Sequence, residues 1–527
     1  MSAFLHSPCD SGVIVSAPTP SIRVPSCETW VLIATIVGSS MVFIDGTVVN
    51  VALPVLQADL HTTVVAAQWV VEAYALFLAA LLLVGGSLGD RYGRRRIFAL
   101  GVGLFALASV GCGLAPNAEM LIAGRALQGI AGALLTPGSL AIISATFDEA
   151  GRGRAIGTWS AFTAITAALG PVVGGWLLDH ASWRAVFFVN APLAPIVLAI
   201  VFTRVPESRD ETASRLDWLG ALLGTIGLAG ATFGLIETGN RGFSDPLVAA
   251  ALLAGIVTLV AFIAVEARIR HPMLPLDLFR SRSFLGANLL TFLVYAGLSG
   301  GLFFLPFNLI QVQGYSASAA GAALLPFVLM VFALSRWSGG LADRYGARLP
   351  LTIGPLVVAA SWVLYALPGI GGSYWTTFFP AIVLQGIGMG ITVAPLSAVV
   401  MGSVELRHAG IASGINNAVS RIAGLLAVAI MGIMVLAVFS THLDSSLAKL
   451  AVPSDVIAGL DAQRTRLAAL EPPSLYEPGL GQQIRLAIAE AFVAGFRVAM
   501  LIASGLALCG GLIGVLMIDG RKRLQSA

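Results

Sequence analysis

The sequence predicts an all-α membrane protein with fourteen transmembrane helices, arranged as two six-helix bundles plus two inserted helices. Apolar residues make up 57% of the 527 residues and charged residues only 11%, and the mean hydropathy is +0.89. Such a composition lies far outside the range of soluble domains. Stretches of about 20 residues with few or no charges recur, and each can cross a hydrocarbon layer of ~30 Å as a helix. A loop motif also occurs twice.

The duplicated loop motif indicates that the two bundles are homologous. It reads G-S-L-G-D-R-Y-G from Gly86 to Gly93 and G-G-L-A-D-R-Y-G from Gly339 to Gly346. Leu-Gln-Gly-Ile at 127–130 returns at 384–387 with nearly the same offset, which is the mark of an internal repeat. Aligning the copies pairs span 2 with span 10 and span 4 with span 12, so spans 7 and 8 have no counterpart.

Helices are expected throughout, because lipid offers no partner to unpaired backbone groups. Strands of a β-barrel would alternate in hydropathy, whereas the run 76–84 is apolar on every face. The predicted spans cover residues 30–53, 67–88, 97–115, 119–142, 155–178, 184–203, 217–236, 247–266, 284–311, 320–340, 350–367, 376–400, 410–438 and 487–518.

The loop charges predict the orientation of these spans. Arginines gather in the even-numbered connections, and Arg521, Lys522 and Arg523 follow the last span. The short odd-numbered connections hold only Arg184 and Arg241. By the positive-inside rule we expect both termini in the cytoplasm and the protein in the cytoplasmic membrane.

Four parts are expected along the chain. Residues 1–28 are rich in Ser and Pro and lack the pattern of a signal peptide, which predicts a short disordered cytoplasmic tail. The first bundle covers 29–206, the two-helix insert 207–283 and the second bundle 284–527. An external loop over 440–486 is expected to hold a short amphipathic helix near 461–470.

No metal site, cofactor or nucleic-acid partner is expected. The net charge of +3 reflects topology and forms no single basic patch, and the four cysteines are scattered without a CxxC pair. The stretch G-G-S-L-G at 85–89 fits a nucleophile elbow, but it lies at a helix end with no strand before it. Lys449 and Lys522 lie outside any Walker A loop. An enzyme or direct ATP coupling is therefore disfavoured.

Several motifs carry a family resemblance. They are I-D-G-T-V-V-N-V-A-L-P from Ile44, the Gly86 loop motif extended to Arg96, R-A-L-Q-G-I-A-G from Arg125, G-P-V-V-G-G from Gly170, and W-R followed by F-F-V-N-A-P from Trp183. In this order and spacing they resemble the major facilitator superfamily, and within it the fourteen-span drug:proton antiporter family. The match covers nearly the whole chain.

The resemblance implies the major facilitator fold and a proton-coupled multidrug exporter of the antibiotic-resistance type. Such an antiporter moves lipophilic or amphiphilic compounds outward in exchange for protons by alternating access. The proton gradient supplies the energy without a cofactor, and we expect a monomer in the lipid bilayer. The alternative is a carrier of an endogenous lipid or metabolite on the same scaffold.

Two intramembrane charges are the first candidate functional residues. Asp45 lies deep in span 1, where a carboxylate costs ~2.5 to 3.5 kcal/mol on insertion scales, and a partly hydrated acid there could exchange a proton. The resemblance implies a proton-coupling role for Arg125 of span 4, with Gln128 beside it. The alternatives are a structural Asp45 that is bonded to Asn50 or to backbone, and an Arg125 that snorkels to the outer interface.

Glu72 is the third candidate for proton coupling. It lies near the outer end of span 2. It is either a second protonatable site or a group that recognises cationic cargo, and an acid at the membrane interface is an equally good interpretation.

The loop motif after span 2 is expected to act on conformation. Its glycines permit a tight turn, Asp90 can cap a helix N-terminus, and Arg94 can join a charge network. Contacts that break and re-form there would favour one conformation over another. The assigned residues are Gly86, Asp90, Arg91, Gly93 and Arg94, with Asp343 and Arg344 in the second half.

The motif in span 5 consists of Gly170, Pro171, Gly174 and Gly175, which predict a kink and a small-residue face. The resemblance links this face to the sealing of the two halves, although packing alone would use the same residues. The family has a glycine where this chain has Thr166, which predicts a looser helix contact.

Cargo is expected near the midplane between the bundles, in a lipophilic cavity with few polar contacts. Span 10 contains no Asp or Glu, whereas family members that export divalent organic cations can carry an acid there. The candidate lining residues are Tyr74, Gln128, Phe162, Tyr295, Phe303, Asn308, Gln311 and Arg421.

Overall fold

The computed structural model describes residues 25–209, 217–269, 272–405, 409–450, 452–471 and 478–519, and every regular element in these ranges is helical. The α-helices are α1 (Pro25–Asp59), α2 (Val64–Tyr92), α3 (Arg94–Gly113), α4 (Ala118–Thr146), α5 (Glu149–His180), α6 (Trp183–Phe188), α7 (Asn190–Arg204), α8 (Trp218–Arg241), α9 (Pro246–Glu266), α10 (Arg282–Phe307), α11 (Ala317–Ala323), α12 (Leu325–Tyr345), α13 (Arg348–Ala366), α14 (Tyr374–Thr377), α15 (Phe379–Gly402), α16 (Ala409–Lys449), α17 (Ser454–Asp461) and α18 (Pro478–Met517). Short 3₁₀ helices cover Leu276–Arg280 and Arg464–Ala469, and a π-helix covers Asn308–Val312.

Fourteen helical segments of the described chain are long and apolar enough to cross a membrane, which confirms the predicted number. Spans 1 to 5 are α1 to α5, span 6 combines α6 and α7, and spans 7 and 8 are α8 and α9. Span 9 joins α10 to the π-helix, and span 10 combines α11 and α12. Spans 11 to 14 are α13, α15, α16 and α18.

The bundle has two ends, which we name by the connection that each holds. The His61 end joins span 1 to span 2, and the Gly93 end joins span 2 to span 3. Cys27 at the start of span 1 contacts the carbonyl of Arg204 at the end of span 6, and Ser283 at the start of span 9 donates to Asp519 after span 14 at 3.0 Å. The two ends of the described chain therefore both lie at the Gly93 end.

Helices of each half pack mainly on one another. In the first half span 4 packs against spans 2 and 3, and span 1 packs against span 5; in the second half span 14 packs against spans 9, 11 and 13, and span 12 against spans 10 and 11. Spans 7 and 8 pack together, and span 7 also contacts spans 2 and 13. The division at 29–206, 207–283 and 284–527 stays a prediction.

Two predicted boundaries differ from the structure. α1 begins at Pro25, inside the predicted tail 1–28, and residues 1–24 of that tail lie outside the described residues. Spans 13 and 14 extend to Lys449 and from Pro478, so the loop predicted at 440–486 is shorter. The helix predicted near 461–470 corresponds to α17, which begins at Ser454 and ends at Asp461. A 3₁₀ helix follows it over Arg464–Ala469.

The segment between α16 and α18 is held by an arginine. Arg464 binds Asp444, in the last turns of α16, and its Nη2 lies 2.7 Å from the carboxylate of Asp461 at the end of α17. The hydrogen bond to Asp444 raises the pKa of Arg464 above its ordinary value, so the guanidinium stays charged. Polar contacts of this kind let α16 continue past the apolar stretch on which the span prediction depended.

Close helix approach in the first half depends on glycine. A Cβ atom at Gly85 of span 2 would lie 1.9 Å from the carbonyl oxygen of Ala133 in span 4. A Cβ atom at Gly129 of span 4 would lie 2.5 Å from the carbonyl oxygen of Tyr74. Spans 2 and 4 therefore meet backbone to backbone, as small residues allow in lipid.

We expect Gly85→Val to lower the unfolding temperature of the detergent-purified protein, because spans 2 and 4 must move apart at a cost of about 1 to 3 kcal/mol. Gly103→Val is the matched control, since a Cβ atom at Gly103 of span 3 meets no atom within 4 Å. Equal thermal stability of the two variants, measured by scanning fluorimetry, would contradict this account of the packing.

Candidate functional site

A buried ion pair lies inside the first half and joins spans 1 and 4. Asp45 is 0% exposed and Arg125 is 1% exposed, and Nη1 of Arg125 donates to Oδ2 of Asp45. The same nitrogen lies 2.9 Å from Oε1 of Gln128, whose Nε2 donates to Oδ1 of Asp45 at 3.1 Å. Nε of Arg125 donates to the carbonyl oxygen of Val70 in span 2 at 2.9 Å. Both carboxylate oxygens therefore accept a hydrogen bond.

Aromatic rings and a thiol enclose the ion pair. The guanidinium carbon of Arg125 lies 4.2 Å from the ring centroid of Tyr74 and 5.9 Å from that of Phe187, within cation–π range. The Cys112 thiol donates to Oε1 of Gln128 at 3.3 Å. Water is excluded from these charges, so their hydrogen bonds act in a low dielectric.

In this conformation neither charge makes the contact that its alternative interpretation required, and the role of Asp45 in proton coupling stays a prediction. Arg125 does not snorkel, because its guanidinium is buried against Asp45. Asn50 is not the partner of Asp45, since its amide donates to the carbonyl of Gly46 at 3.4 Å. The three-residue spacing of Arg125 and Gln128 places both side chains on one face of span 4, which is a signal that the sequence contains.

Glu72 is buried on another face of span 2. It is 1% exposed and therefore enclosed by protein, and Oε2 has no hydrogen-bond partner in the described part of the chain. The interpretations of Glu72 as a protonatable site, a cation-recognition group or an interfacial acid stay predictions. Around it, Trp69 donates to Oε1 of Glu237 in span 7 at 2.9 Å. Gln68 donates to the carbonyl oxygen of Val428 in span 13 at 3.0 Å. Glu72 therefore does not join the Asp45–Arg125 pair.

The loop motif after span 2 carries two small groups of opposite charges. Nε of Arg94 donates to Oδ1 of Asp90 at 2.9 Å, so Asp90 pairs with Arg94 and does not cap a helix N-terminus. That role falls to Glu207, whose Oε1 accepts from the backbone N–H of Arg95 at 3.0 Å. Oε2 of Glu207 lies 3.7 Å from Arg95 and 3.6 Å from Arg96. Glu207 is one of several acids that follow span 6 in an arginine-rich region, so the sequence carried no signal that singled it out.

The two copies of the motif share a backbone feature. Gly93 has φ +110° and Gly346 has φ +82°, a region that favours glycine, so each motif ends in a turn that needs its glycine. Gly86 makes ordinary contact with Pro137 of span 4. Arg91 and Arg344 are exposed, and the side chain of Asp343 lies outside the described residues.

The glycines of span 5 face two different helices. Cβ atoms at Gly170 and Gly174 would lie 2.0 Å from Oγ1 of Thr47 and 2.5 Å from the side chain of Val48, both in span 1. A Cβ atom at Gly175 would lie 2.3 Å from the carbonyl oxygen of Ala317 in span 10. Span 5 therefore connects the helix of Asp45 to the second half.

The contact between spans 5 and 10 continues along both helices. Gly321 of span 10 approaches Pro171, with 2.1 Å between a Cβ atom and the Pro171 carbonyl oxygen. Asp179 accepts hydrogen bonds from the backbone N–H groups of Ala317 at 3.2 Å and Ser318 at 2.9 Å. Thr166 lies 3.0 Å, oxygen to oxygen, from the Ser40 hydroxyl, so the looser contact predicted there is replaced by a hydrogen bond to span 1.

Glutamine side chains add to the closure at the His61 end. Nε2 of Gln311 donates to Oε1 of Gln57 at 3.1 Å, and Nε2 of Gln57 donates to the carbonyl oxygen of Arg466 at 3.0 Å. Arg466 also donates to the carbonyl oxygen of His61 at 3.1 Å. With the contacts of spans 5 and 10 and of Gln68, these bonds join the two halves and close the bundle at this end.

The residues predicted to line a cargo cavity are dispersed in this closed conformation. Tyr74 and Gln128 surround the ion pair, and Phe303 packs against Phe304 and Phe307 in the core of the second half. Gln311 borders a cavity of about 630 Å³ at the His61 end, next to Gln57. The remaining four residues do not lie together. Phe162 is 52% exposed and Arg421 is half-buried. Tyr295 packs against the hydrophobic core, and the side-chain oxygen of Asn308 accepts a hydrogen bond from Gln313. Their role in cargo binding stays a prediction.

Comparisons with known proteins agree with this architecture. The family model described as Major Facilitator Superfamily matches residues 35–428. The chain is 34% identical over 488 residues to "Multidrug resistance protein Stp" of Mycobacterium tuberculosis (strain CDC 1551 / Oshkosh), covering 90% of this chain and 89% of the relative. It is 34% identical over 424 residues to "Tetracenomycin C resistance and export protein" of Streptomyces glaucescens, covering 79% and 78%.

A solved structure shows the same fold. The bacterial homolog to the human lysosomal transporter Spinster, crystallised in an inward-facing and occupied conformation, matches with a TM-score of 0.61 and 19% identity over 93% of this chain and 96% of that one. The family match and the transporter fold identify a multi-pass membrane transporter and not an enzyme. The chain belongs to the major facilitator superfamily.

Proposed function

We propose that this transporter is an exporter of lipophilic or amphiphilic drugs that exchanges its cargo for protons. The observation that carries the proposal is the buried Asp45–Arg125 pair, in which the Asp45 carboxylate can take up a proton and Arg125 is a permanently charged partner. The names of the relatives support drug export, since Stp is a multidrug resistance protein and the Streptomyces glaucescens relative an export protein.

Proton binding at Asp45 would change the force between spans 1 and 4. A neutral Asp45 no longer attracts Arg125, whose guanidinium keeps its bonds to Gln128 and the Val70 carbonyl. Removing one charge of a buried pair leaves the other uncompensated, which costs about 3 to 5 kcal/mol. A conformation in which Arg125 is hydrated or has a new acceptor would offset this cost. Protonation of Asp45 would therefore favour that conformation, and the transport cycle would use the shift.

Span 5 offers the route from Asp45 to the closure between the halves. Thr47 and Val48, within one helical turn of Asp45, touch Gly170 and Gly174 of span 5. The other face of span 5 touches span 10 at Gly175. A shift of span 1 would therefore change how span 5 packs against span 1. This change would also alter the stability of the closed His61 end.

The positive-inside rule supports an orientation for this cycle. Arginines of the even-numbered connections lie at the Gly93 end, so we place that end and both termini in the cytoplasm and the His61 end outside. In this orientation the conformation described above is closed toward the exterior. The proton gradient is the energy source, and a single chain suffices because both halves lie within it.

Asp45→Asn tests the coupling step. We expect proton-driven drug uptake into everted membrane vesicles to fall at least about tenfold, because the amide of Asn cannot take up a proton. A tenfold change corresponds to a free-energy difference of ~1.4 kcal/mol. Asp277→Asn is the matched control, since Asp277 is exposed and pairs with nearby Arg280 on the same short helix. Full proton-driven uptake by the Asp45→Asn variant would exclude the mechanism. Running a panel of drugs beside lipid cargo separates a drug exporter from a carrier of endogenous lipid.

Gly175→Val tests the closure. A larger side chain there must push span 10 away, so we expect faster hydrogen–deuterium exchange of the amides in α11 than in the wild type. Gly157→Val lies in the same helix, where a Cβ atom meets nothing within 4 Å, and should leave exchange unchanged. If both variants exchange alike, the span 5–10 contact does not hold the His61 end closed.

A further inference from the structure

Two buried polar side chains on facing helices each carry an oxygen atom with no hydrogen-bond partner in the described part of the chain. Glu72 of span 2 is 1% exposed and Thr232 of span 7 is 0% exposed. Oε2 of Glu72 and Oγ1 of Thr232 both lack a partner in the ranges that the structure describes. We call the region where spans 2, 7 and 13 meet around Glu72 and Thr232 the Glu72 seam. Unsatisfied polar groups at such depth are rare and call for an explanation.

The register of the two helices places Glu72 and Thr232 at one level. Spans 2 and 7 run in opposite directions. Toward the His61 end they are joined by the Trp69–Glu237 hydrogen bond of 2.9 Å. Toward the Gly93 end Leu76 and Leu228 share a hydrophobic cluster with Leu425 of span 13. Glu72 lies between these two contacts on span 2, and Thr232 lies between them on span 7.

The hydroxyl of Thr232 is available to a partner on another helix. Two other threonines of span 7 donate to carbonyls of their own helix: Thr225 to Ala221 and Thr238 to Gly234, each at 2.7 Å. Thr232 makes no such bond. Its oxygen can therefore accept a hydrogen bond from an acidic O–H group across the seam.

No cation neutralises Glu72 in the described structure. Arg125 lies against another part of span 2 and is paired with Asp45. Arg421 of span 13 is half-buried and does not bond to the unpartnered oxygen of Glu72, and Glu237 of span 7 is bound to Trp69 and lies 3.5 Å from Arg241. A carboxylate without a cation in apolar surroundings takes up a proton rather than remain charged. The structure records no hydrogen bond between this carboxyl group and Thr232 in the described residues, so Thr232 contributes a second unpaired polar group at the same level of the seam.

We propose that Glu72 is a second proton-binding site, which holds its proton while the His61 end is closed and exchanges it with water when that end opens. The proposal goes beyond the role of Asp45 and rests on the proposed function only for alternating access. Gln68, one turn before Glu72 on the same face, bonds to Val428 across the two halves. Opening must break this bond and separate span 2 from span 13, which lets water reach the carboxyl group.

The sign of the pH effect follows from this exchange. In the open state the Glu72 carboxyl can release its proton to water as the carboxylate and a hydronium ion, and the reverse step must precede closure. Acid outside the cell therefore favours the closed His61 end, and alkaline conditions favour the open one. Spans 7 and 8, which have no counterpart in the second half, would thereby contribute a wall of a proton site.

Infrared spectroscopy tests the protonation directly. At neutral pH the purified wild type should show the carbonyl band of a protonated carboxylic acid, shifted in heavy water, and Glu72→Gln should remove that intensity. Glu119→Gln is the matched control, because Glu119 is an exposed acid at the same end of the bundle. A band of equal intensity in Glu72→Gln and wild type would show that Glu72 is charged and would overturn the proposal.

Distance measurements test the coupling to closure. Spin labels at Leu114 and Trp375, exposed residues of the two halves at the His61 end, report its opening once Cys9, Cys27 and Cys509 are replaced by serine. We expect the wild type and Glu119→Gln to shift toward longer distances as the pH rises. Glu72→Gln should stay at the short distance, as should the apolar second variant Glu72→Leu.

A pH-dependent shift in the Glu72 variants equal to that of the wild type would exclude the coupling. Neither measurement needs a cargo or a proton gradient. Failure of the Glu72 proposal is therefore distinguishable from failure of the Asp45 mechanism, which is read out as drug uptake.

Discussion

The pairing of Asp45 with Arg125 is the constraint on which the first half depends. Neither charge has water as a solvent, so each needs the protein groups of neighbouring helices. Arg125 binds the carboxylate of span 1 and a backbone carbonyl of span 2 while it belongs to span 4. This geometry fixes three helices relative to one another, and the glycine contact between spans 2 and 4 makes the short reach possible. The packing of the first half and the proposed proton coupling therefore involve the same atoms.

Sequence reasoning was sufficient for the architecture because lipid restricts the choices. Span number, the internal repeat and the family follow from composition, loop charges and motifs, since every apolar stretch of sufficient length must be helical. The Asp45–Arg125 pair was also within reach, because both residues are isolated charges in apolar helices.

The sequence could not predict which helices contact one another at a given residue. Almost every face of these helices is apolar, so hydropathy does not show which one packs inward. From the sequence, Asp90 was predicted to cap a helix N-terminus. That prediction failed because nothing in the sequence shows that Glu207, more than a hundred residues later, reaches the same turn. The bond between Gln57 and Gln311 and the burial of Glu72 against span 7 likewise depend on tertiary register.

α17 and the 3₁₀ helix that follows it have a consequence for the His61 end. Through Arg466 this segment bonds to Gln57 and to the backbone at His61, both in the opposite half. It therefore acts as a latch across the mouth of the bundle, anchored on one half and resting on the other. The mouth can widen only when this latch lifts, so the lifetime of the closed His61 end depends on a short segment that is not itself one of the fourteen spans.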